Sequence, residues 1–250
     1  MGIPDTDQPH PARVYDYLLG GACNFAADRA FADKLVAAVP GVPLAARINR
    51  AFLRRAVRVA LDLGIDQFLD LGSGIPTVGN THEVAPGAKV LYVDSDPIAV
   101  AHSRDVLAGV AGTGIVAADL RDAGTVLTAA RELIDFDRPV AVLAVAVLHF
   151  LENAEAALAP YRAVMAPGSL LAVTHATRDA EDVGEAQRMY VSNGMSGHTR
   201  TKAEVTALFD GLALLPPGVV WTNQWRPETV DEHPPSASLA YAAVGLLTAI

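Results

Sequence analysis

From residue 68 onward the apolar positions fall in short blocks of strand length separated by helical stretches, whereas residues 12–63 carry helical spacing alone. Over residues 12–20, Val14, Tyr17 and Leu18 share one helical side and Gly20-Gly21 is a natural stop. A second helix over 25–39 is predicted, capped by Asn24 and closed by Pro40. A third, over 43–63, places Ile48, Phe52, Ala56, Val59 and Leu63 on one side and Arg47, Arg50, Arg54 and Arg58 on another. Such an arginine stripe is either a solvated helix face or a phosphate or partner site. Apolar blocks at 68–71, 89–93, 114–118, 139–148 and 169–174 follow, with helices predicted over 97–110, 122–134 and 153–165, the last kinked at Pro160. The block PVAVLAVAVL at 139–148 lacks alternation, as a central parallel strand covered on both faces does. Residues 178–198 read as a partly helical lid or connector, and Thr201 with Glu204 as a capping box opening a short helix. Two last strands are expected within 212–221 and 239–247, around a polar, proline-rich loop at 223–237. The whole pattern predicts an α/β fold: a doubly wound, mostly parallel seven-stranded sheet over residues 66–250, preceded by an N-terminal helical cap or lid over 1–65.

Two strand ends carry candidate chemistry. Phe68-Leu69-Asp70-Leu71 runs into Gly72-Ser73-Gly74, where the missing Cβ atoms let backbone N–H groups approach a ligand. The next strand closes in Asp94-Ser95, the place where a nucleoside-binding α/β unit needs an acceptor for ribose hydroxyls. A glycine pair alone also fits a tight strand-to-helix turn with no ligand.

Composition narrows the class. A chain of 250 residues, 51% hydrophobic and 19% charged, buries a large core, and its formal charge of −9 argues against nucleic acid or an anionic membrane as main partner. A small-molecule partner is the better expectation; the sequence leaves the oligomeric state open. One cysteine, Cys23, excludes an intrachain disulfide and a cysteine-cluster metal site, which fits the cytoplasm. No secretory signal is visible at the start, although Gly2 and Thr6 satisfy the permissive myristoylation pattern. The apolar runs at 139–151 and 239–250 are shorter than the ~20 residues of a spanning helix.

The strand order, the Asp-Leu-Gly-Ser-Gly turn at 70–74, Asp94, Asp119 and the turn Met165-Ala166-Pro167-Gly168 resemble class I S-adenosylmethionine-dependent methyltransferases, Rossmann-like in fold. More narrowly, ARVYDYLLGGACNFAADR at 12–29, NRAFLRRAV at 49–57, GIPTVGNTHEVA at 74–85 and VLHFL at 147–151 resemble an actinobacterial methyltransferase-like family of unassigned substrate, long called a domain of unknown function. The resemblance implies S-adenosylmethionine as cofactor. By position, Gly72, Ser73 and Gly74 would pass its methionine part, Asp94 with Ser95 would hold the ribose, and Asp119 with Leu120 would meet the adenine. Residues 146–149, Ala146 to His149, would face the transferred methyl. One departure is Pro76 in place of the usual third glycine, which with the short interval before Lys89 predicts a very short first crossover helix.

Methyl transfer from a sulfonium needs nucleophile, carbon and sulfur held in line and dry, which can supply roughly 7–11 kcal/mol of the barrier. His149 is the candidate general base, with a packing role the alternative; His175 stands at the equivalent end of the fifth strand. His82 either lines the cofactor pocket or braces the turn. Tyr15, Tyr17, Asn24 and Phe25 either cover the cofactor or belong to a core. The seven histidines lack metal-ligand spacing. Two other functions fit less well: a nicotinamide dehydrogenase, whose fingerprint asks for glycine where Thr77 stands, and a non-catalytic S-adenosylmethionine-binding protein.

Overall fold

The computed structural model describes residues 5–76, 79–229 and 232–248; Gly2 and Thr77, singled out above, lie outside the described residues. Three helices come first: α1 (Pro11–Leu18), α2 (Ala26–Ala38) and α3 (Val42–Asp62). Strands and helices then alternate through β1 (Gln67–Leu71), α4 (Thr81–Val84), β2 (Lys89–Asp94), α5 (Pro97–Val106), β3 (Thr113–Ala117), α6 (Ala123–Ala130), β4 (Ala141–Val145), α7 (Ala154–Ala163) and β5 (Leu170–Ala176). The remainder comprises α8 (Val183–Ser192), α9 (Lys202–Ala207), β6 (Ala213–Leu214), β7 (Val220–Trp221) and β8 (Ala240–Leu246).

The sheet runs β3-β2-β1-β4-β5-β8-β6, with β7 also pairing β8. The first five strands are parallel, and β8 runs antiparallel to β5. The sequence predicts seven strands, and among the described residues the sheet has eight because the edge strand expected within 212–221 is interrupted. Pro216 and Pro217 cannot donate ladder hydrogen bonds, so β6 and β7 lie on either side of them along the same neighbour, β8. The first crossover is short as expected: α4 has four residues. Pro160 lies within α7, which continues through it. Asn24 does not cap α2; the Asp28 carboxylate accepts from the Phe25 N–H at 2.8 Å instead.

Alternate strand residues point to opposite faces. Leu69, Leu71, Val93, Val142 and Val173 pack under Val126, Leu127, Leu158 and Tyr161 of α6 and α7. Phe68, Val90, Leu143 and Ala172 pack under Phe52, Leu53, Ala56 and Val57 of α3, together with Trp225. Arg55 fixes α3 there by donating to the carbonyls of Trp225 (2.8 Å) and Thr222 (2.9 Å). Helix α3 is therefore a covering layer of the sheet as well as part of the N-terminal helices. Leu63, expected on its buried side, is 48% exposed because the helix has already ended at Asp62. A third, smaller core joins Val14, Leu18, Phe31, Leu35 and Ala46 of the first three helices to Ala186, Met189 and Tyr190 of α8. That cluster packs α1, α2 and α8 together as one unit.

Candidate active site

Under this unit lies a cavity of about 510 Å³, within the range of small-molecule sites. It is lined from the sheet by Gly72, Ser73, Gly74, Asp94, Ser95, Asp119, Leu120, Ala146 and His149. The sequence-derived strand-end residues thus meet in one place. Tyr17, Asn24 and His82, also expected to hold cofactor, are not among its lining. Tyr17 turns outward and donates to Asp33 at 2.9 Å. Asn24 orders the turn after α1 by donating to Asp16 and to the Gly21 carbonyl, each at 2.9 Å. His82 braces α4 against β2: its Nδ1 lies 2.7 Å from the Tyr92 hydroxyl, and its ring meets that of Tyr92 edge-on.

The glycine turn works differently from the expectation that its N–H groups face a ligand. Gly72 and Ser73 both donate to the Val93 carbonyl, at 2.8 and 3.0 Å, and Gly74 donates to Asp94 Oδ2 at 2.7 Å. The turn spends its donors in joining the ends of β1 and β2. Glycine is still required at 72: φ is +67°, and a Cβ would lie 2.2 Å from Val147 Cγ2. At Gly74, also at φ +67°, a Cβ would meet only open space, so it is the backbone conformation that demands glycine.

Asp94 is buried and accepts from the N–H groups of Gly74 and, at 2.8 Å, Asp96. Burial pushes its carboxyl up, against the opposing pull of these two N–H groups. Each oxygen keeps lone pairs for further donors. Asp119 is clamped by Arg121, whose Nε lies 2.9 Å from Oδ1 and whose Nη2 lies 2.5 Å from Oδ2. This guanidinium holds the Asp119 carboxyl below the usual carboxylate range.

Sequence reasoning missed Asp70 and Arg50 as site residues. Asp70, the last residue but one of β1, lines the cavity; burial raises its pKa to about 6, although the Thr81 hydroxyl donates to it at 2.8 Å and Arg50 lies nearby. A carboxylate inside an otherwise apolar strand was the available signal. Arg50, one of the arginine stripe, also lines the cavity; its Nη2 donates to Asn80 at 2.5 Å while its Nε is buried without a partner among the described residues. The other stripe residues face elsewhere, Arg58 pairing with Glu228 and Arg54 lying against Gly79.

A hydrogen-bond chain crosses the cavity wall from α1 to the sheet. The Tyr15 hydroxyl donates to the Ala46 carbonyl (3.1 Å) and accepts from Asn49 Nδ2 (2.8 Å). Asn49 Oδ1 accepts from Thr174 Oγ1 (2.6 Å), which in turn accepts from the Ala146 N–H (2.8 Å). Ala146 has φ +57°, a left-handed conformation that costs a residue with a Cβ of order 1–3 kcal/mol. Its bond to Thr174 holds it there.

His149 lies on a 3₁₀ turn (Leu148–Phe150) directly after β4. Burial lowers its pKa to about 3, with His175 and Arg200 adding to the effect, so the ring is neutral at pH 7. Its Nδ1 is buried and has no partner among the described residues. His175, lowered by burial to about 4, is fixed between the Ala176 carbonyl at 2.8 Å and Arg200 Nη1 at 2.6 Å.

The sequence pattern described as S-adenosyl methyltransferase matches residues 3–248. The chain belongs to the S-adenosyl methyltransferase family. Two solved structures resemble this member over nearly its whole length. One, from Thermobifida fusca YX, is described as a candidate methyltransferase; it is 42% identical, with 98% of this chain and 97% of that chain covered and a TM-score of 0.93. The other is a DUF574 family protein of Streptomyces avermitilis MA-4680, 35% identical, with 97% and 98% covered and a TM-score of 0.91. No functionally curated protein matches the chain. As a family member it is an S-adenosylmethionine-dependent methyltransferase. The donor set fits that cofactor's parts: a buried carboxylate at the second strand end for a diol, and a cation and an anion, Arg50 and Asp70, beside the glycine turn for an amino-acid zwitterion. No described helix is long and apolar enough to cross a membrane.

Proposed function

We propose that this methyltransferase acts on a small-molecule acceptor in the cytoplasm, with cofactor and acceptor enclosed together under α1, α2 and α8. The observation that carries this is the continuous cavity from the β1–β3 ends to the ends of β4 and β5, lined from above by His10, Tyr15 and Leu18 of the N-terminal segment and by Ala186 and Tyr190 of α8. A volume of about 510 Å³ roofed on this side suits a small molecule far better than a nucleic-acid strand, and the net charge of −9 points the same way.

S-adenosylmethionine supplies an electrophilic methyl group on a sulfonium. This chain's residues then have four tasks. Asp94 accepts from ribose hydroxyls; its carboxylate is oriented by the Gly74 and Asp96 N–H groups, so little ordering remains to be done on binding. Arg50 and Asp70 hold the two charges of the amino-acid end, and cofactor binding gives the buried Arg50 Nε a charged neighbour. Asp119, Leu120 and Ser95 border the base and sugar, with the Leu120 carbonyl fixed by the Tyr161 hydroxyl at 2.5 Å. His149, being neutral, adds no positive charge beside a sulfonium.

The N-terminal helices and α8 form a cover that excludes water. Their shared apolar cluster supports that role. The test is a binding assay under hydrogen exchange: S-adenosylhomocysteine should slow amide exchange in α1 and α8 together. Protection confined to the strand ends would remove the cover from the account.

A further inference from the structure

With the cofactor along β1–β3, the rest of the cavity, between the β4 and β5 ends and α8, is where an acceptor must sit. Its wall is apolar: Phe150, Ala186, Tyr190, Met195 and Leu239. The carboxylates and guanidinia lining the whole cavity are Asp70, Asp94, Asp119, Arg50 and Arg121, and all belong to the cofactor side. Among the described residues no carboxylate or guanidinium lines the acceptor side. An ammonium carried into it would lose its water without a lining carboxylate to compensate, and a carboxylate would meet no lining guanidinium.

Several polar groups on that side are already spent. Tyr15, Asn49 and Thr174 satisfy one another. Gln187 donates to the Gly197 carbonyl at 2.8 Å and accepts from Thr199 at 2.9 Å. Four lining side chains are left without a hydrogen-bond partner among the described residues: Ser196 and His198, after α8, and Tyr190 and His149, of which His149 stands beside Ala146 at the β4 end. The Tyr190 hydroxyl has no partner among the described residues, and burial raises its pKa. The His149 ring lines the cavity; its Nδ1 is sealed within protein, whereas Nε2 is neither sealed nor hydrogen-bonded to any described residue. Nε2 is the nitrogen open to a ligand. Behind it stands His175, which Arg200 approaches at 2.6 Å, so a fixed cation backs the site.

We propose that the acceptor is an uncharged, largely apolar hydroxyl compound whose O–H donates to His149 Nε2 and whose oxygen takes the methyl group. This rests on the methyl-transfer function proposed above. A lone pair of the oxygen forms the new C–O bond while the C–S bond breaks and its electron pair stays on sulfur. The hydroxyl proton passes to the Nε2 lone pair and then to solvent, leaving a methyl ether and a thioether. An imidazolium beside Arg200 is disfavoured, so the proton moves late, once the oxygen bears its new bond and has become a strong acid. A weak base suffices for that step. An amine acceptor, protonated in water, would instead have to shed its proton before entry.

The experiment offers the protein labelled S-adenosylmethionine and a panel of phenols and aliphatic alcohols, each matched by its alkylammonium and carboxylate analogue, with products identified by mass spectrometry. In parallel, S-adenosylhomocysteine and the same compounds are titrated by calorimetry, and the His149 ring nitrogens are followed by ¹⁵N NMR. Hydroxyl members should be methylated on oxygen at least about 10-fold faster than their analogues and should shift the Nε2 resonance on binding. His149→Gln should lower that rate by about 10²-fold, the low end of what a positioned proton acceptor contributes, while S-adenosylhomocysteine affinity changes less than about 2-fold. Preference for the charged analogues, methylation of no panel member by protein that binds S-adenosylhomocysteine, or an undiminished rate in His149→Gln overturns the proposal. Failure of the wild-type protein to bind S-adenosylhomocysteine would instead strike the methyl-transfer function itself.

Discussion

Replacing Thr174 by valine should destabilise the protein by roughly 2–4 kcal/mol, although the change is nearly isosteric. Thr174 is 1% exposed, and its hydroxyl serves two partners. It accepts from Ala146 N–H at 2.8 Å and donates to Asn49 Oδ1 at 2.6 Å. Valine leaves both unpaired, and each orphaned group costs about 1–3 kcal/mol, with the Ala146 N–H at the lower end because the cavity beside it can admit water. Ala146 also loses the bond that holds its left-handed φ of +57°. Urea unfolding monitored by far-ultraviolet circular dichroism reads the effect as a lower midpoint at unchanged slope. Thr174→Ser keeps the hydroxyl and should lose no more than about 1.5 kcal/mol, that of a small buried apolar group. In the Asn49→Ala background, Thr174→Val should cost at least about 1 kcal/mol less than it does alone, since the Asn49 oxygen is no longer there to be orphaned. A Thr174→Val protein within ~0.5 kcal/mol of wild type, inside the usual range for an inconsequential substitution, or an additive cycle, would refute the proposed hydrogen-bond chain.

Asp70 carries a folded-state pKa near 6 against an ordinary 3.8, so between these values the folded chain holds the extra proton and its stability falls as pH rises. Asp70→Asn should therefore stabilise the free protein by about 1–3 kcal/mol at pH 7.5 and by nothing at pH 3.5, a comparison read from thermal melts at the two pH values. Arg50→Gln should weaken S-adenosylhomocysteine by roughly 1.5–3 kcal/mol, the worth of a charged hydrogen bond, yet leave 5′-methylthioadenosine, which lacks the amino-acid end, unaffected in calorimetry. Deleting residues 1–21 strips Val14 and Leu18 from the small core they share with α8, uncovering apolar surface worth roughly 1.5–3 kcal/mol for each side chain. The truncated protein should keep its far-ultraviolet spectrum and lose cofactor affinity; undiminished affinity would leave the segment no role as a cover.

The strand ends were legible because their signals are local. A run of strand length ending in Gly72-Ser73-Gly74, and another ending in Asp94, fix the positions of both groups once a parallel sheet brings β1 and β2 side by side. The rest of the site is not local. Asn49 and Thr174 are 125 positions apart, and nothing near either residue announces the other. Tyr15 and Tyr17 stand two positions apart on one helix, which sets them on nearly opposite sides: one joins the cavity wall and the other pairs with Asp33 outside. His82 reads equally well as ligand or brace until β2 places Tyr92 beneath it. The interrupted edge strand was marked by Pro216-Pro217, a signal that strand length alone had overridden.

The central claim, that cofactor binds across the β1–β3 ends with Asp94 on its ribose, is tested most directly by calorimetric titration of S-adenosylhomocysteine and of NAD into wild-type protein and Asp94→Ala. One molecule of S-adenosylhomocysteine should bind the wild type, NAD should not, and the substitution should cost roughly 2–4 kcal/mol of affinity with the melting curve of the free protein still cooperative, because two charge-assisted hydrogen bonds are lost. Equal binding of NAD, or an Asp94→Ala protein that binds S-adenosylhomocysteine as tightly as wild type, would contradict it.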